Sequence, residues 1–248
     1  MPSIALLWGK LRPLFAGAAL YALGGWSAAH AAGLPSAEEL HRLAPATDIK
    51  ALRLALNAYQ CASSQLGGKG ELLTVIDYSK PSRDKRLWVF DLKQRKLLFE
   101  EWVAHGKNSG ADLATAFSNR PNSYQSSLGL YQTGQIYSGK HGRSLRLQGL
   151  EPGFNDNSEE RAIVVHAAAY ADPKVVPGLG RLGRSQGCPA VRPAVAQKLI
   201  DTLQKGSYVF AYYPQQQWLS NSQFLAGASC TVAKNPGINR YAQNLAKR

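Results

Sequence analysis

Between residues 72 and 103, three short apolar runs stand close together, and their spacing limits the fold more than any other feature of the chain. Residues 72–78 (LLTVIDY), 86–91 (RLWVFD) and 96–103 (KLLFEEWV) are rich in branched and aromatic side chains, with turn-prone residues between them. Such runs suit strands buried in a sheet. The connections are short turns, so the segment predicts an antiparallel sheet rather than βαβ units.

Further strand candidates follow at 128–131, 145–150, 162–166 and 207–213. Between them, residues 105–127 are polar and rich in Gly, Ser and Asn, a long loop of the kind that carries function or moves. Helices are predicted on both flanks. Ser36 is a suitable N-cap with Glu39 at the capping-box position, and Ala51, Leu52, Ala55, Leu56 and Tyr59 share one helical face over 48–61. Pro193 suits the first turn of a helix over 193–205, on which Val195, Leu199 and Leu203 align. The fold class is therefore mainly β with flanking helices, an α+β chain. Residues 32–69 form an N-terminal helical segment, and 70–214 form the main domain. Residues 215–248 form a polar tail without periodicity.

The first 31 residues read as a secretory signal. Lys10 and Arg12 precede an uncharged run from 14 to 29, and Ala29-His30-Ala31 offers the small-x-small pattern of a cleavage site after Ala31. The alternative is a membrane anchor, but the run is short and broken by Gly24-Gly25, where an anchor wants roughly 20 strongly apolar residues. Cleavage removes two basic and no acidic residues, which takes the formal net charge from +13 to +11. A basic exported protein is drawn to polyanionic envelope surfaces. Nucleic acid is disfavoured by export and by basic residues that are scattered, with no run interleaved with aromatics. The expected location is the periplasm or cell envelope, with no stable membrane anchor once the signal is removed.

The mature part holds three cysteines, Cys61, Cys188 and Cys230. An odd number in an oxidising compartment leaves one thiol unpaired or bonded between chains. Cys188 sits in RLGRSQGCPAVRP, and 22 positions upstream His166 ends the apolar run IVVH. The Gly- and Pro-rich stretch 171–183 between them is able to fold back. Chemistry wants this pair because the thiolate is the nucleophile, while a free thiol titrates near about 8.5. An imidazole takes the proton and later returns it to a leaving amine. Gly187 removes a side chain beside the thiol, so backbone N–H groups can face a developing oxyanion. Pro189 keeps Cys188 extended. Residue types alone leave the thiol open between nucleophile, core and disulfide readings, and His166 open to a purely structural role.

His166 followed by Ser185-x-Gly187-Cys188 resembles the active-site signature of the L,D-transpeptidases, the YkuD-like peptidoglycan enzymes. Ala104-His105-Gly106-Lys107-Asn108 and Ser126-Ser127-Leu128-Gly129-Leu130-Tyr131 are similar to upstream segments of that family. Residues 140–147, 153–157 and 183–185 resemble its murein L,D-transpeptidase catalytic-domain branch. The resemblance spans roughly 70–214. It implies a catalytic β-sandwich in which Cys188 accepts the acyl group, His166 accepts the proton, and the backbone amides of Gln186, Gly187 and Cys188 face the oxyanion. Ser185 and Gly187 belong to the catalytic motif. Gln186, Arg184, Arg192 and His141 are candidate substrate contacts, and the alternative for the arginines, Arg181 included, is a solvated basic loop. The chain departs from the family at Gln186, where many members carry His, at Ala190 in place of Arg or Asn, and at Ala167 after the histidine.

The resemblance implies an exported cysteine acyl-transferase that joins peptidoglycan stem peptides through a thioester. The stem peptides are both acyl donor and amine acceptor, and no cofactor is implied. A carboxypeptidase or hydrolase on the same fold is one alternative, and a non-catalytic wall-binding module another. A papain-like protease is disfavoured because its nucleophile precedes its histidine. Cys61 and Cys230 lie outside the motif; paired, they would tie the two ends of the mature chain and leave Cys188 free, and the alternative is two buried thiols. His105, His141 and His166 lack metal-ligand spacing, so no metal is expected.

Overall fold

The structure is a computed structural model that describes residues 33–66, 70–139, 142–204, 206–225 and 230. The proposed signal segment 1–31 and His141 lie outside the described residues. Two helices open the described chain, α1 (Ala37–Leu43) and α2 (Ile49–Leu66). Ser36 caps α1 as its sequence predicts: Glu39 N–H donates to Ser36 Oγ, and Ser36 N–H donates back to the Glu39 carboxylate.

Strands β1 (Leu72–Asp77), β2 (Leu87–Asp91) and β3 (Lys96–Glu101) then form the expected antiparallel meander. Next come β4 (Gly129–Gly139), β5 (Gly142–Gly149), β6 (Val164–Ala167), a short helix α3 (Val176–Leu179) and β7 (Ala190–Val191). Helix α4 (Pro193–Leu203), strand β8 (Tyr208–Tyr212) and helix α5 (Gln216–Asn221) close the described chain. The eight strands form one mixed sheet in the order β3-β2-β1-β8-β4-β5-β6-β7. Two pairings are parallel: β1 with β8, far apart in sequence, and β6 with β7, consecutive strands joined by the connection 168–189.

The central strands β1, β2 and β8 are buried almost throughout, because helices α1, α2, α4 and α5 contribute to the same core. Leu40, Leu52, Ala55 and Ala58 from the N-terminal helices meet Leu199 and Ile200 of α4 in that cluster. Trp218 of α5 and Phe224 after it are fully buried there too, so residues 216–225 belong to the core rather than trailing from it. A smaller cluster of Ala104, Ala168, Ala171, Leu182 and Ala190 lies under the long connection from β6 to β7. That second cluster fixes the loop in which Cys188 lies.

Candidate active site

Strand register brings the two chemistry-bearing residues together. Strands β6 and β7 run parallel with His166 opposite Ala190. Two residues earlier on each chain, Cys188 is level with Val164, and neighbouring strands lie about 5 Å apart. The sulfur makes a contact that fits this placement: Sγ–H faces the Ala162 carbonyl at 3.7 Å. Burial pushes the Cys188 thiol above its ordinary range, against the opposing pull of the Val164 N–H and of Arg161. At rest the group is therefore a thiol that needs a base.

His166 is buried at the end of β6, flanked by Ser144 of β5 on the other side. Its Nδ1 lies 3.0 Å from the carbonyl of Ala167. A carbonyl only accepts, so Nδ1 carries a proton, and whenever the ring is neutral its basic lone pair is on Nε2. The contact uses main chain, so Ala167 serves as well as any other residue at that position.

The turn before Cys188 is clamped from within. Ser185 Oγ donates to the Cys188 carbonyl at 2.6 Å and accepts from Gly187 N–H at 3.0 Å. Ser185 thus shapes the turn, and Gly187 N–H, one of three expected oxyanion donors, is already engaged by its hydroxyl. Gly187 has φ +126°, and a Cβ there would lie 2.8 Å from the Gln125 carbonyl and 3.1 Å from Arg161 Nη2. Only glycine fits both demands. Outside the turn, Ser185 N–H donates to His105 O and Lys107 N–H to Ser185 O. Ser126 Oγ accepts from Gly106 N–H and donates to the Gly187 carbonyl. The two upstream segments singled out in the sequence therefore buttress the cysteine turn.

Beneath that buttress lies a buried cation. Arg86 donates to the carbonyls of Val103 and Lys80 and to His105 Nδ1 at 2.7 Å. An arginine always donates, so His105 is neutral with its proton on Nε2, which faces Gly110 O. Burial, reinforced by Arg86, pushes His105 down to about 4. This histidine supports the segment beside the cysteine turn.

The site opens into a cleft of about 480 Å³, lined among others by Cys188, His166, Ser185, Gln186 and Arg184. Arg184 donates to the carbonyls of Lys107 and Gly110 and stays exposed at the rim. Arg192 departs from expectation. Its Nε and Nη2 grip the Glu101 carboxylate at 2.8 and 2.7 Å, and it lies against Trp102, so it ties α4 to β3 and is absent from the cleft lining. The sequence reading overlooked Arg161, Tyr137 and Tyr170, which all line the cleft. Arg161 stands just ahead of the apolar run that ends at His166, and that position was the available signal. Away from the cleft, the structure joins Cys61 of α2 to Cys230, Cα to Cα 5.7 Å, and leaves Cys188 as the free cysteine.

A histidine on β6 and a cysteine just before the neighbouring strand β7 share one open cleft in a mixed sheet. The chain belongs to the L,D-transpeptidase catalytic-domain family, whose sequence profile matches residues 43–212. That match begins inside the N-terminal helical segment and includes Cys188 and His166. No curated protein matches the chain. Solved structures similar to it include an L,D-transpeptidase from Mycobacterium smegmatis, at 15% identity over 58% of this chain and 59% of that one, TM-score 0.36. An L,D-transpeptidase from Xylanimonas cellulosilytica is 17% identical over 58% and 61%, TM-score 0.33. One from Stackebrandtia nassauensis is 16% identical over 72% and 77%, TM-score 0.35. The chain spans about 60% of the length of the first structures it matches.

Proposed function

We propose that the protein is an exported cysteine acyl-transferase that cross-links peptidoglycan stem peptides. The observation that carries this reading is the family match over a chain whose cleft holds both Cys188 and His166. In the first half-reaction, His166 Nε2 takes the proton from Cys188 Sγ and the sulfur attacks a peptide carbonyl of the donor stem. The backbone N–H groups of Gln186 and Cys188 stabilise the oxyanion, an effect worth roughly 3 kcal/mol. The tetrahedral species then collapses, the C–N bond breaks, and the imidazolium gives its proton to the leaving amine. In the second, the amine of another stem attacks the thioester and loses a proton to His166, and the thiol is restored as the new amide forms.

Residues 1–31 would direct the chain to the envelope and be removed there, and its basic charge favours an anionic wall. Incubating the mature protein with sacculi and separating the muropeptides tests the reading. New cross-links that vanish in Cys188→Ala are expected. Shortened stems without cross-links would instead indicate a hydrolase. A protein that leaves sacculi unchanged, and whose Cys188 resists acylation by a carbapenem, would be a wall-binding module.

A further inference from the structure

The cleft contains a half-buried cation, Arg161, that lines it beside Glu160 yet joins no ion pair among the described residues. Arg161 precedes β6, and its guanidinium is held by neutral acceptors alone. Nη1 donates to Ser118 O and Ser127 Oγ, and Nη2 to Gln125 O at 2.5 Å and Ser123 Oγ at 3.3 Å. Among the described residues it joins no salt bridge. Four hydrogen bonds satisfy the four Nη donors but leave the charge uncompensated, and a cation withdrawn from water without a counter-charge is costly.

Its position shows where a counter-charge would form. Nη2 lies against Gly187, 3.1 Å from where a Cβ would be, and Cys188 follows directly. The sulfur of Cys188 faces the carbonyl of Ala162, the residue after Arg161, and both side chains line one cleft. We propose that Arg161 is the standing counter-ion of the Cys188 thiolate, a positioning residue that holds negative charge on the sulfur against its burial.

This inference rests on Cys188 being the nucleophile. The other titratable groups around the sulfur are His166 on β6, Tyr170 after β6, Tyr78 after β1 and, lining the same cleft, Glu160, Tyr124, Tyr137 and Arg184. Tyr170 and Tyr78 are both pushed upward by burial, Tyr170 to about 12, so neither is an anion while the thiol titrates. Burial lowers the Arg161 guanidinium, opposed by Tyr131 and then by the Cys188 sulfur; burial raises the thiol, and the guanidinium acts on it in the opposite, lowering sense. Within the cycle Arg161 stabilises the thiolate that His166 leaves behind, and its own proton stays in place. The same guanidinium braces residues 118–127, so one side chain couples the shape of the cleft to the charge of the nucleophile.

The test is the pH dependence of Cys188 alkylation by iodoacetamide, in the mature chain with its disulfide intact. Arg161→Lys keeps the charge with fewer donors, and Arg161→Gln keeps donors without the charge. In Arg161→Gln the midpoint should rise by about one unit, which slows alkylation below it about tenfold, while Arg161→Lys stays near wild type. A midpoint that is the same in wild type, Lys and Gln, or one that moves equally in both variants, overturns the proposal. Arg161→His, neutral where the thiol titrates, repeats the test if the Gln variant does not fold. If neither charge-free variant folds, Arg161 is a brace only and the proposal falls. Carbapenem acylation of the wild type is followed alongside. Its absence with an Arg161-dependent midpoint rejects the transpeptidase reading and keeps the ion pair; acylation with an indifferent midpoint does the reverse.

Discussion

Gly187 shows how tightly one residue is constrained at this site. Its φ of +126° is strained for any L side chain, and a methyl group there would press on the Gln125 carbonyl and the Arg161 guanidinium. Gly187→Ala should therefore cost about 1–3 kcal/mol of stability. It should also slow carbapenem acylation of Cys188 at least about tenfold, since a shift of the turn on the ångström scale spoils attack geometry. Thermal unfolding and intact mass after timed exposure check the two effects. An Ala variant acylated at the wild-type rate would mean that the turn does not set the attack. At this scale the sequence showed a great deal. Cys188, Gly187 and His166 are legible because their chemistry and spacing are rare together. Arg161 and Arg192 are not, since an arginine near an active-site motif looks the same whether it faces a substrate, a thiol or, as Arg192 does, the carboxylate of Glu101.

Among the elements, legibility follows apolar pattern. Strands β1 to β3 announce themselves because almost every side chain of β1 and β2 is buried. The outer half of β4 does not: beyond Thr133 it pairs with β5 alone, its side chains are half exposed, and a bulge breaks its alternation. The β1–β8 pairing is invisible to local pattern, since it depends on which distant strand completes the sheet, and β7 is only two residues long, too short to show alternation. Helix α5 is six residues long, too short for periodicity, and a single anchor, Trp218, docks it on Phe210 and Tyr212. The indole N–H donates at 2.9 Å to the buried carboxylate of Glu151, which also accepts from Leu130 N–H at 2.7 Å. Trp218→Phe should cost about 1–3 kcal/mol by leaving that oxygen short of a donor. The cost should depend on pH. Burial raises the Glu151 carboxyl above 4.5, and its donors oppose the shift, so losing one raises it further. A raised carboxyl binds its proton more tightly when folded, so its contribution is most favourable below the unfolded value and declines as pH rises through the folded one. Denaturant titrations should thus show a larger deficit at neutral pH than in acid. An equal deficit at both would mean that Glu151 is insensitive to its indole partner.

Across the whole molecule, the disulfide decides which sulfur is left to react. Cys61 lies in α2 and Cys230 is 169 positions later, so the bridge encloses nearly all of the sheet. Closing so long a loop constrains the unfolded chain by about 5 kcal/mol in the chain-entropy picture, and the usual measured benefit is about 2–4 kcal/mol. A Cys61→Ala/Cys230→Ala chain should then unfold about 5–15 °C lower than wild type, at roughly 2–4 °C for each kcal/mol in a domain of this size. Its Cys188 should still be acylated below the transition, because neither bridging residue lines the cleft. Thiol titration of the denatured protein without reductant should find one free thiol, and three after reduction. Three thiols before reduction would remove the bridge, along with the expected gain in stability. The pairing also bears on function. In an oxidising compartment a third cysteine is a hazard unless its sulfur is kept protonated and out of reach of other thiols. Partial burial of Cys188 in the cleft wall, with the thiol raised above its ordinary range, meets the first of these conditions at rest. On the proposed mechanism the nucleophile must then be activated afresh in each cycle, the task assigned there to His166 Nε2.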